Sequence, residues 1–239
     1  MARSAEQQRV LEILRRLKRA YPDAQLALHY RSPFELLVAL ILAAQCTDEK
    51  VNQVTAELFQ RYRTPEDFVR ARREDLERAI YATGFYRQKA KTLQACCAAL
   101  IERYQGQVPD RLEDLLTLPG VGRKTANILL GNAFGKPAIG VDTHVLRLAQ
   151  RLGLTHQNNP DKVEEDLNQL VPVKDRTRFC ILMQAHGRAV CLARKPKCDQ
   201  CVIADLCPYP DKPKASAAPN SLPKNKKSLN LLRLTTRRK

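Results

Sequence analysis

Apolar residues recur along most of this chain at intervals of three and four, the spacing that gathers them on one face of an α-helix. Val10, Leu11, Leu14 and Leu17 show it first, and no convincing run of alternating strand pattern interrupts it. The pattern predicts an all-α protein. Predicted helices cover residues 4–20, 33–45, 48–62, 66–72, 74–82, 87–105, 111–117, 123–134, 143–152, 161–170 and 175–190.

Residues at the predicted helix boundaries suit those positions. Pro33 and Pro65 stand where a first helical turn tolerates proline, and Asp48 and Asp110 are candidate N-caps. Gly106 can close the helix before it in a left-handed turn. After Cys207 the helical pattern gives way to proline-rich and basic sequence, so residues 212–239 are predicted to form a disordered tail.

Composition and charge narrow the class of protein. The 239 residues are 44% hydrophobic, enough for one large or two small globular domains. The formal net charge is +16; nine basic residues and one acidic residue from Asp211 onward carry +8, and 32 basic against 24 acidic residues leave +8 on residues 1–210. Lysines kept for solubility explain only a few units of such a surplus. The charge indicates a polyanionic partner, and we expect the tail to add salt-sensitive affinity for it.

No membrane or export segment is expected. The longest apolar run, "FELLVALILAA" from Phe34, is about half the length that a bilayer requires and includes Glu35. The N-terminus alternates apolar and charged residues at helical spacing, unlike the uninterrupted apolar core of a signal peptide.

The stretch "LPGVGRKTA" combines two glycines, Gly120 and Gly122, with the basic residues Arg123 and Lys124. Glycines on either side of Val121 allow a tight turn, and the helix that begins near Arg123 offers free N–H groups and the positive end of its dipole. Such a turn can bind a phosphate. The alternative is an ordinary turn between two helices with a solvated lysine.

The residues around this turn exclude one nucleotide-binding motif and indicate another kind of phosphate-binding motif. A nucleotide-binding P-loop is excluded because position 117 is Thr where that motif requires glycine. Apolar residues on both sides of the turn can pack its two helices into a helix-hairpin-helix. Further on, in "VDTHVLR", Asp142 precedes an amphipathic helix, where it is either an N-cap or a catalytic carboxylate.

Four of the eight cysteines, Cys191, Cys198, Cys201 and Cys207, follow the spacing C-x6-C-x2-C-x5-C. Four thiolates so close together require a cation, so a metal centre is predicted. A single C-x-x-C pair favours a [4Fe-4S] cluster over structural zinc. Three basic residues between the first two cysteines suit contact with phosphate: Arg194, Lys195 and Lys197. The other cysteines, Cys46, Cys96, Cys97 and Cys180, are expected to be buried small hydrophobes, and the four histidines to be structural.

"LPGVGRKTA" followed by "VDTHVLR" resembles the helix-hairpin-helix DNA glycosylase superfamily, and specifically its endonuclease III family. "SPFELLVALILAAQCTD", "TGFYRQKAKTL" and the cysteine cluster match in the same order, so the resemblance covers roughly residues 8–210. It implies a six-helix barrel lobe over residues 26–136 with the helix-hairpin-helix, an iron-sulfur cluster lobe over 1–25 and 137–211, and a DNA cleft between them. It also implies a monomer in the cytoplasm, associated with a bacterial-type nucleoid.

The resemblance implies base excision repair of double-stranded DNA. Lys124 would attack C1′ of the damaged nucleotide, and Asp142 would stabilise the positive charge that develops. Because the nucleophile is an amine, the enzyme would be both a DNA glycosylase and an AP lyase. Gln45 would fill the gap left by the extruded base and Phe85 would wedge against the opposite strand, unless Gln45 only ends a helix and Phe85 is core. Cys46 and the size of Phe85 depart from the family pattern and leave lesion preference open.

Three alternatives remain at this point. A pyrimidine-dimer glycosylase shares the fold, the lysine and the cluster, whereas adenine-specific relatives lack the lysine. A non-catalytic helix-hairpin-helix protein would bind DNA without needing Lys124 or Asp142. A redox sensor is the third, although a cluster that shapes a DNA-binding loop already explains the basic residues between its ligands.

Overall fold

The computed structural model describes residues 4–209, and this range is helical with no β-strand in it, which confirms the predicted fold class. The helices are α1 (Ala5–Ala20), α2 (Pro33–Leu42), α3 (Asp48–Arg61), α4 (Pro65–Arg70), α5 (Arg73–Ile80), α6 (Tyr86–Tyr104), α7 (Leu112–Leu115), α8 (Arg123–Ala133), α9 (Thr143–Arg151), α10 (Pro160–Leu170) and α11 (Arg176–Ala189). Short 3-10 turns lie at Tyr81–Thr83, Val173–Asp175, Cys198–Gln200 and Ala204–Leu206. None of these helices is long and apolar enough to cross a membrane. The predicted tail, residues 212–239, lies outside the described residues.

Helix boundaries follow the expected chemistry with two corrections. Pro33 and Pro65 both occupy first turns, as predicted. The cap of α3 is Thr47 rather than Asp48: the Thr47 hydroxyl accepts from the Lys50 N–H, whereas Asp48 is the first helical residue and pairs with Arg188 at 2.7 Å. Aspartate is favourable in a first turn because its charge opposes the helix dipole.

Asp110 does not cap α7 either. That helix begins after Arg111 without a side-chain cap, and the Asp110 carboxylate instead pairs with Lys136 at 2.6 Å. Gly106 behaves as predicted: with Gln105 it adopts the left-handed conformation, and its N–H donates to the Leu100 carbonyl at 2.9 Å.

Helix α2 ends at Leu42, three residues before its predicted end. The chain turns through residues 43–46, and Gln45 adopts a left-handed φ of 52°. Periodicity could not show this end, because the residues that follow Leu42 are two alanines, which fit a helix equally well.

Buried apolar side chains form two separate clusters. The first core lies between Leu28 and Leu130 and is built by α2 to α8. The second core joins the apolar face of α1 to residues 139–203, with α9, α10 and α11. The chain therefore starts in the second core, leaves it to build the first, and returns at Ile139.

Close contacts join the two cores along α8. Gly140 lies so near Ile128 that a Cβ at this position would be 2.6 Å from the isoleucine side chain, and Gly131 is equally close to Thr177. At another point of the joint, Arg188 of α11 pairs with Asp48 of α3. Helix α8 belongs to the first core by its buried face and touches the second core along the other side.

The turn before α8 depends on Gly120. Its φ is 81°, and a Cβ there would overlap the methyl group of Thr92 on α6. Gly122, two residues later, has an ordinary φ of −92° and open space around it.

We therefore expect Gly120→Ala to destabilise the protein by about 1–2 kcal/mol, since alanine is strained at positive φ. This corresponds to a melting temperature lower by about 2–8 °C in a chain of this size. Thermal melting followed by circular dichroism measures it. Gly122→Ala is the matched control and should melt like the native protein; equal melting of the two variants would contradict the assignment.

Candidate functional site

The glycine turn joins α7 to α8 and forms a helix-hairpin-helix with them, as predicted. Leu118 and Val121 are buried, and the Val121 N–H donates to the Leu118 carbonyl at 3.1 Å. Helix α8 then begins at Arg123, and Gly122, its N-cap, has no side chain to cap it. The first N–H groups of a helix have no intrahelical acceptor and lie at the positive end of its dipole. The hairpin can therefore hold an anion on backbone groups alone.

Lys124 is exposed in the first turn of α8, immediately beyond the hairpin. Its neighbour Arg123 is engaged elsewhere: the guanidinium donates to both carboxylate oxygens of Glu164 on α10, at 2.8 and 3.0 Å. Glu164 is buried, and the ion pair raises the pKa of Arg123. The Arg123 charge is thus balanced within the protein, while Lys124 projects from the helix surface.

Asp142 is the N-cap of α9 and is half-buried. Its Oδ1 accepts from the Val145 N–H at 2.7 Å, so the capping interpretation is correct as far as it goes. Cys180 lies nearby, and burial, with added effects from the Asp142 and Glu164 charges, raises the pKa of this thiol to about 12. Both candidate reactive groups, Lys124 and Asp142, thus stand at helix N-termini.

A buried network holds α8 against the segment that leads to Asp142. The Asn127 side chain donates to the Ile139 carbonyl at 2.9 Å and to the Glu164 carboxylate at 2.8 Å. One residue further along each segment, Ile128 packs against Gly140. Asn127 lies one helical turn after Lys124, and Gly140 lies two residues before Asp142, so these contacts fix the relation between the two candidate groups.

Gln45 and Phe85 are both exposed, Phe85 with 65% of its surface accessible. Phe85 is therefore not a core residue. Each sits in a left-handed conformation, with φ of 52° and 47°, which is uncommon for residues other than glycine. Tyr81 precedes Phe85 in the same turn and is 66% exposed, with its ring 4.8 Å from that of Tyr86.

The four predicted ligands line one cavity below the C-terminus of α11. None of the eight cysteines, all within residues 4–209, forms a disulfide. No three His, Cys, Asp or Glu side chains in this range converge as they would around one metal ion, and the four thiols instead surround a shared space. Burial, together with the charges of the other three cysteines, raises the pKa of Cys201 to about 12. Because four thiolates here oppose one another's ionisation, the donor set fits a cationic iron-sulfur group.

Arginines of α9 hold the backbone of the cysteine loop, residues 191–207, at its first cysteine. Arg151 donates to the Cys191 sulfur at 3.3 Å and to the Leu192 and Ala193 carbonyls at 2.7 and 2.9 Å. Arg147 donates to the Cys191 carbonyl at 3.0 Å. These bonds pre-order the loop around the first cysteine.

The three basic residues of the loop are all exposed, and one of them is conformationally unusual. Arg194, Lys195 and Lys197 lie on the surface, with Lys195 at a left-handed φ of 51°. The Lys197 N–H donates to the Val190 carbonyl at 3.0 Å, which closes the loop.

The remaining cysteines require one correction, and one histidine lies beside the cysteine cavity. Cys96, Cys97 and Cys180 are buried as expected, whereas Cys46 is only half-buried. His186 is structural, but it is also a neighbour of the cysteine cavity: it contacts the Tyr21 hydroxyl at 2.9 Å and the Cys201 sulfur at 3.4 Å. Burial lowers the pKa of His186 to about 4, so the ring is neutral at physiological pH.

Periodicity alone missed Glu164, Asn127 and Lys89. Each lies on the buried face of its helix, Glu164 between Val163 and Leu167 on α10. A polar or charged residue inside an apolar stripe was the available signal, because such a residue requires a partner in the fold.

Comparisons with known proteins give a consistent result. Residues 38–173 match the model of the HhH-GPD superfamily base excision DNA repair proteins, and residues 191–207 match the iron-sulfur binding domain of endonuclease III. Endonuclease III of Synechocystis sp. is 52% identical over 206 residues, 86% of this chain and 94% of that protein.

Two solved structures are similar over nearly their whole length. One is described as a non-covalent endonuclease III–DNA complex, the other as a trapped covalent endonuclease III–DNA intermediate with an estranged adenine. Each is 42% identical and has a TM-score of 0.82, covering 87% of this chain and 97% of the other. The match over 191–207 confirms the predicted iron-sulfur centre.

We expect Cys201→Ala to lose bound iron and the visible absorbance of the cluster, because three thiolates hold it incompletely. Iron content and the absorbance spectrum of the purified protein are the measurements. Cys46→Ala, which removes a thiol outside the cavity, should keep both. Full iron content in Cys201→Ala, or equal loss in Cys46→Ala, would rule out the assigned ligand set.

Proposed function

This chain belongs to the endonuclease III family of HhH-GPD base excision repair proteins, and on that basis we propose that it excises oxidised pyrimidines such as thymine glycol from duplex DNA. Membership of the family makes it a bifunctional DNA glycosylase and AP lyase with an iron-sulfur cluster. One observation carries the proposal: an exposed lysine and a half-buried aspartate stand at two helix N-termini that a buried network locks together.

We assign the nucleophile to Lys124. Its neutral amine would attack C1′, the bond from C1′ to the base nitrogen would break, and the base would leave with that electron pair. The C1′–O4′ bond of the sugar ring then breaks, a proton passes from the amine to O4′, and a Schiff base forms between Lys124 and C1′. Loss of a C2′ proton and of the 3′ phosphate completes the β-elimination, so a lysine nucleophile implies strand cleavage as well as excision. The similar protein described as a trapped covalent intermediate supports this route.

Asp142 is assigned to the positive charge that develops on the sugar. An oxocarbenium-like transition state is stabilised by a nearby carboxylate that is already fixed in place. The hydrogen bond from Val145 to Oδ1 fixes it, and Oδ2 is the oxygen that we assign to the substrate. The capping and catalytic interpretations of Asp142 are therefore compatible.

The target nucleotide has to leave the helical stack before Lys124 can reach it. We assign Gln45 to the gap that the base leaves and Phe85 to the opposite strand. Their exposure supports this, as does their left-handed backbone, since strained conformations concentrate at functional sites.

Phosphate contacts would position the duplex without reading its sequence. The hairpin formed by Gly120, Val121, Gly122 and Arg123 provides one such contact through its free amides; the Val121 N–H is the exception, since it donates to the Leu118 carbonyl. Because the Arg123 side chain is paired with Glu164, its part is played by the backbone. Arg194, Lys195 and Lys197 form the second contact, on a loop whose shape the iron-sulfur cluster supports when bound by Cys191, Cys198, Cys201 and Cys207.

The two cores support the proposed lobes, residues 26–136 and residues 1–25 with 137–211, with DNA bound in the cleft between them. We further propose a monomer that works in the cytoplasm on the bacterial nucleoid. The basic tail, residues 212–239, would add affinity that falls with salt and leaves lesion choice unchanged.

Borohydride trapping tests the nucleophile. A duplex with one thymine glycol should yield a covalent adduct with the native protein and none with Lys124→Ala, because only a Schiff base is reduced to a stable bond. Lys91→Ala, an exposed lysine on α6, is the control and should trap normally. An adduct with Lys124→Ala would exclude Lys124 as the nucleophile.

The native protein's substrate preference comes from the same assay. No adduct on thymine glycol but an adduct on a pyrimidine-dimer duplex would reassign the lesion. Failure on both of these and on an abasic-site duplex would favour a protein that only binds DNA.

Asp142→Asn separates the two roles of this residue. Asparagine caps a helix about as well as aspartate, so the melting temperature should stay close to the native value. Loss of the negative charge should lower excision by roughly 100-fold or more, the usual scale for one preorganised electrostatic group. Single-turnover excision and thermal melting are the measurements, and native excision by Asp142→Asn would reduce Asp142 to a cap.

A further inference from the structure

Lys89 is a buried lysine that the proposed chemistry does not use. It retains 5% of its accessible surface and lies in the first turn of α6, among the apolar residues of the first core. Its amine donates to the Leu42 carbonyl and to the Thr83 carbonyl, each at 2.8 Å. Burial lowers the pKa of Lys89. A buried amine is costly unless its donors are used, and these two bonds join α6 to backbone 47 residues away at Leu42 and to the turn just before the helix at Thr83.

Both acceptors lie at the ends of helical segments. Leu42 is the last residue of α2, and Thr83 is the last residue of the 3-10 turn that precedes α6. Terminal carbonyls of a helix have no intrahelical donor and carry its partial negative charge. An amine between two such carbonyls satisfies both and ties the two segments to one point.

Those segments lead directly into the two exposed turns. Gln45 follows Leu42 by three residues, and Phe85 follows Thr83 by two. Each turn depends on a left-handed residue other than glycine, a strained conformation that persists only where neighbouring contacts enforce it. Phe85 is also held by the first backbone bond of α6, from the N–H of residue 89 to the Phe85 carbonyl at 3.0 Å, which does not depend on the lysine side chain.

We propose that Lys89 is a positioning residue that fixes the Gln45 and Phe85 turns relative to each other, so that both side chains enter the duplex as the damaged base leaves it. Lys89 does not touch DNA. It acts through the two turns, and the inference rests on the roles proposed above for Gln45 and Phe85.

Lys89→Met tests this, because methionine keeps most of the aliphatic stem and removes the donors. Excision of thymine glycol from duplex DNA should fall roughly 100-fold, the cost expected of a small displacement of positioned groups. Borohydride trapping on a single-stranded abasic oligonucleotide should stay at the native level, since that substrate has no opposite strand and no base to extrude. Lys91→Met, on the exposed side of α6, should match the native protein in both assays.

A double-mutant cycle separates positioning from general damage. Where Gln45→Ala and Phe85→Ala are already present, adding Lys89→Met should change duplex excision little, because its effect passes through those side chains. Losses that multiply in that background would overturn the proposal. So would native duplex excision by Lys89→Met, or a parallel loss on the single strand. If Lys89→Met loses its helical circular dichroism, Lys89→Gln takes its place: its amide nitrogen ends one bond short of the lysine amine and cannot bond both carbonyls, so duplex excision should fall while single-strand trapping stays native.

Failure of the proposed function is visible separately, in the native protein's own activity on thymine glycol. If that activity is absent, Lys89 is tested by the fluorescence of 2-aminopurine placed opposite an abasic-site analogue. The fluorescence should rise when the native protein unstacks that base. Lys89→Met should weaken the rise, and an unchanged rise would overturn the proposal.

Discussion

The side chain of Asn127 makes two hydrogen bonds on which the geometry of the site depends. One goes to the Ile139 carbonyl where the chain re-enters the second core, and the other goes to Glu164 of α10. Since both cores have apolar interiors of their own, packing within each says little about their mutual orientation. Directional bonds to buried polar groups do specify it, because a small displacement would leave an amide or a carboxylate unsatisfied.

Glu164 connects this joint to the hairpin. Its carboxylate accepts from Asn127 and, with both oxygens, from Arg123 at the start of α8. The first turn of α8 therefore has a fixed position relative to the second core, although its solvent face is open. The backbone that carries the exposed Lys124 is therefore fixed, while its side chain stays accessible to a substrate. The site is rigid where it is held and accessible where it would react.

The helices could be predicted from the sequence because their apolar spacing is regular. The hairpin could be predicted because two glycines flank a single residue, Val121, between two segments of helical pattern. Cap positions do not follow from the sequence in the same way: Thr47 and Asp48 are both good capping residues, and only the backbone decides between them. Gln45 and Phe85 could be named only by resemblance, because left-handed φ values in residues other than glycine leave no pattern.

The supporting contacts were the hardest to predict. Lys89 and Arg151 bind backbone carbonyls 47 and 41 residues away, and a carbonyl is present at every position. Nothing in the acceptor's identity marks it as a partner. A charged residue inside an apolar stripe signals that it needs a partner, whereas the identity of that partner follows only from the assembled fold.

The division of the chain between the cores also sets an order of folding during synthesis. The first core is contiguous and is complete once residue 130 has left the ribosome. Helix α1 is made before it, yet its apolar face packs against residues 139–203. Synthesis proceeds at roughly 5–20 residues per second, so the apolar face of α1 stays unpacked for on the order of ten seconds or more before its partner residues are made. During this interval the apolar face of α1 is exposed. The cysteine loop is synthesised after the rest of the second core and then packs on α1, where Arg9 and Arg16 donate to the Leu206 and Val202 carbonyls.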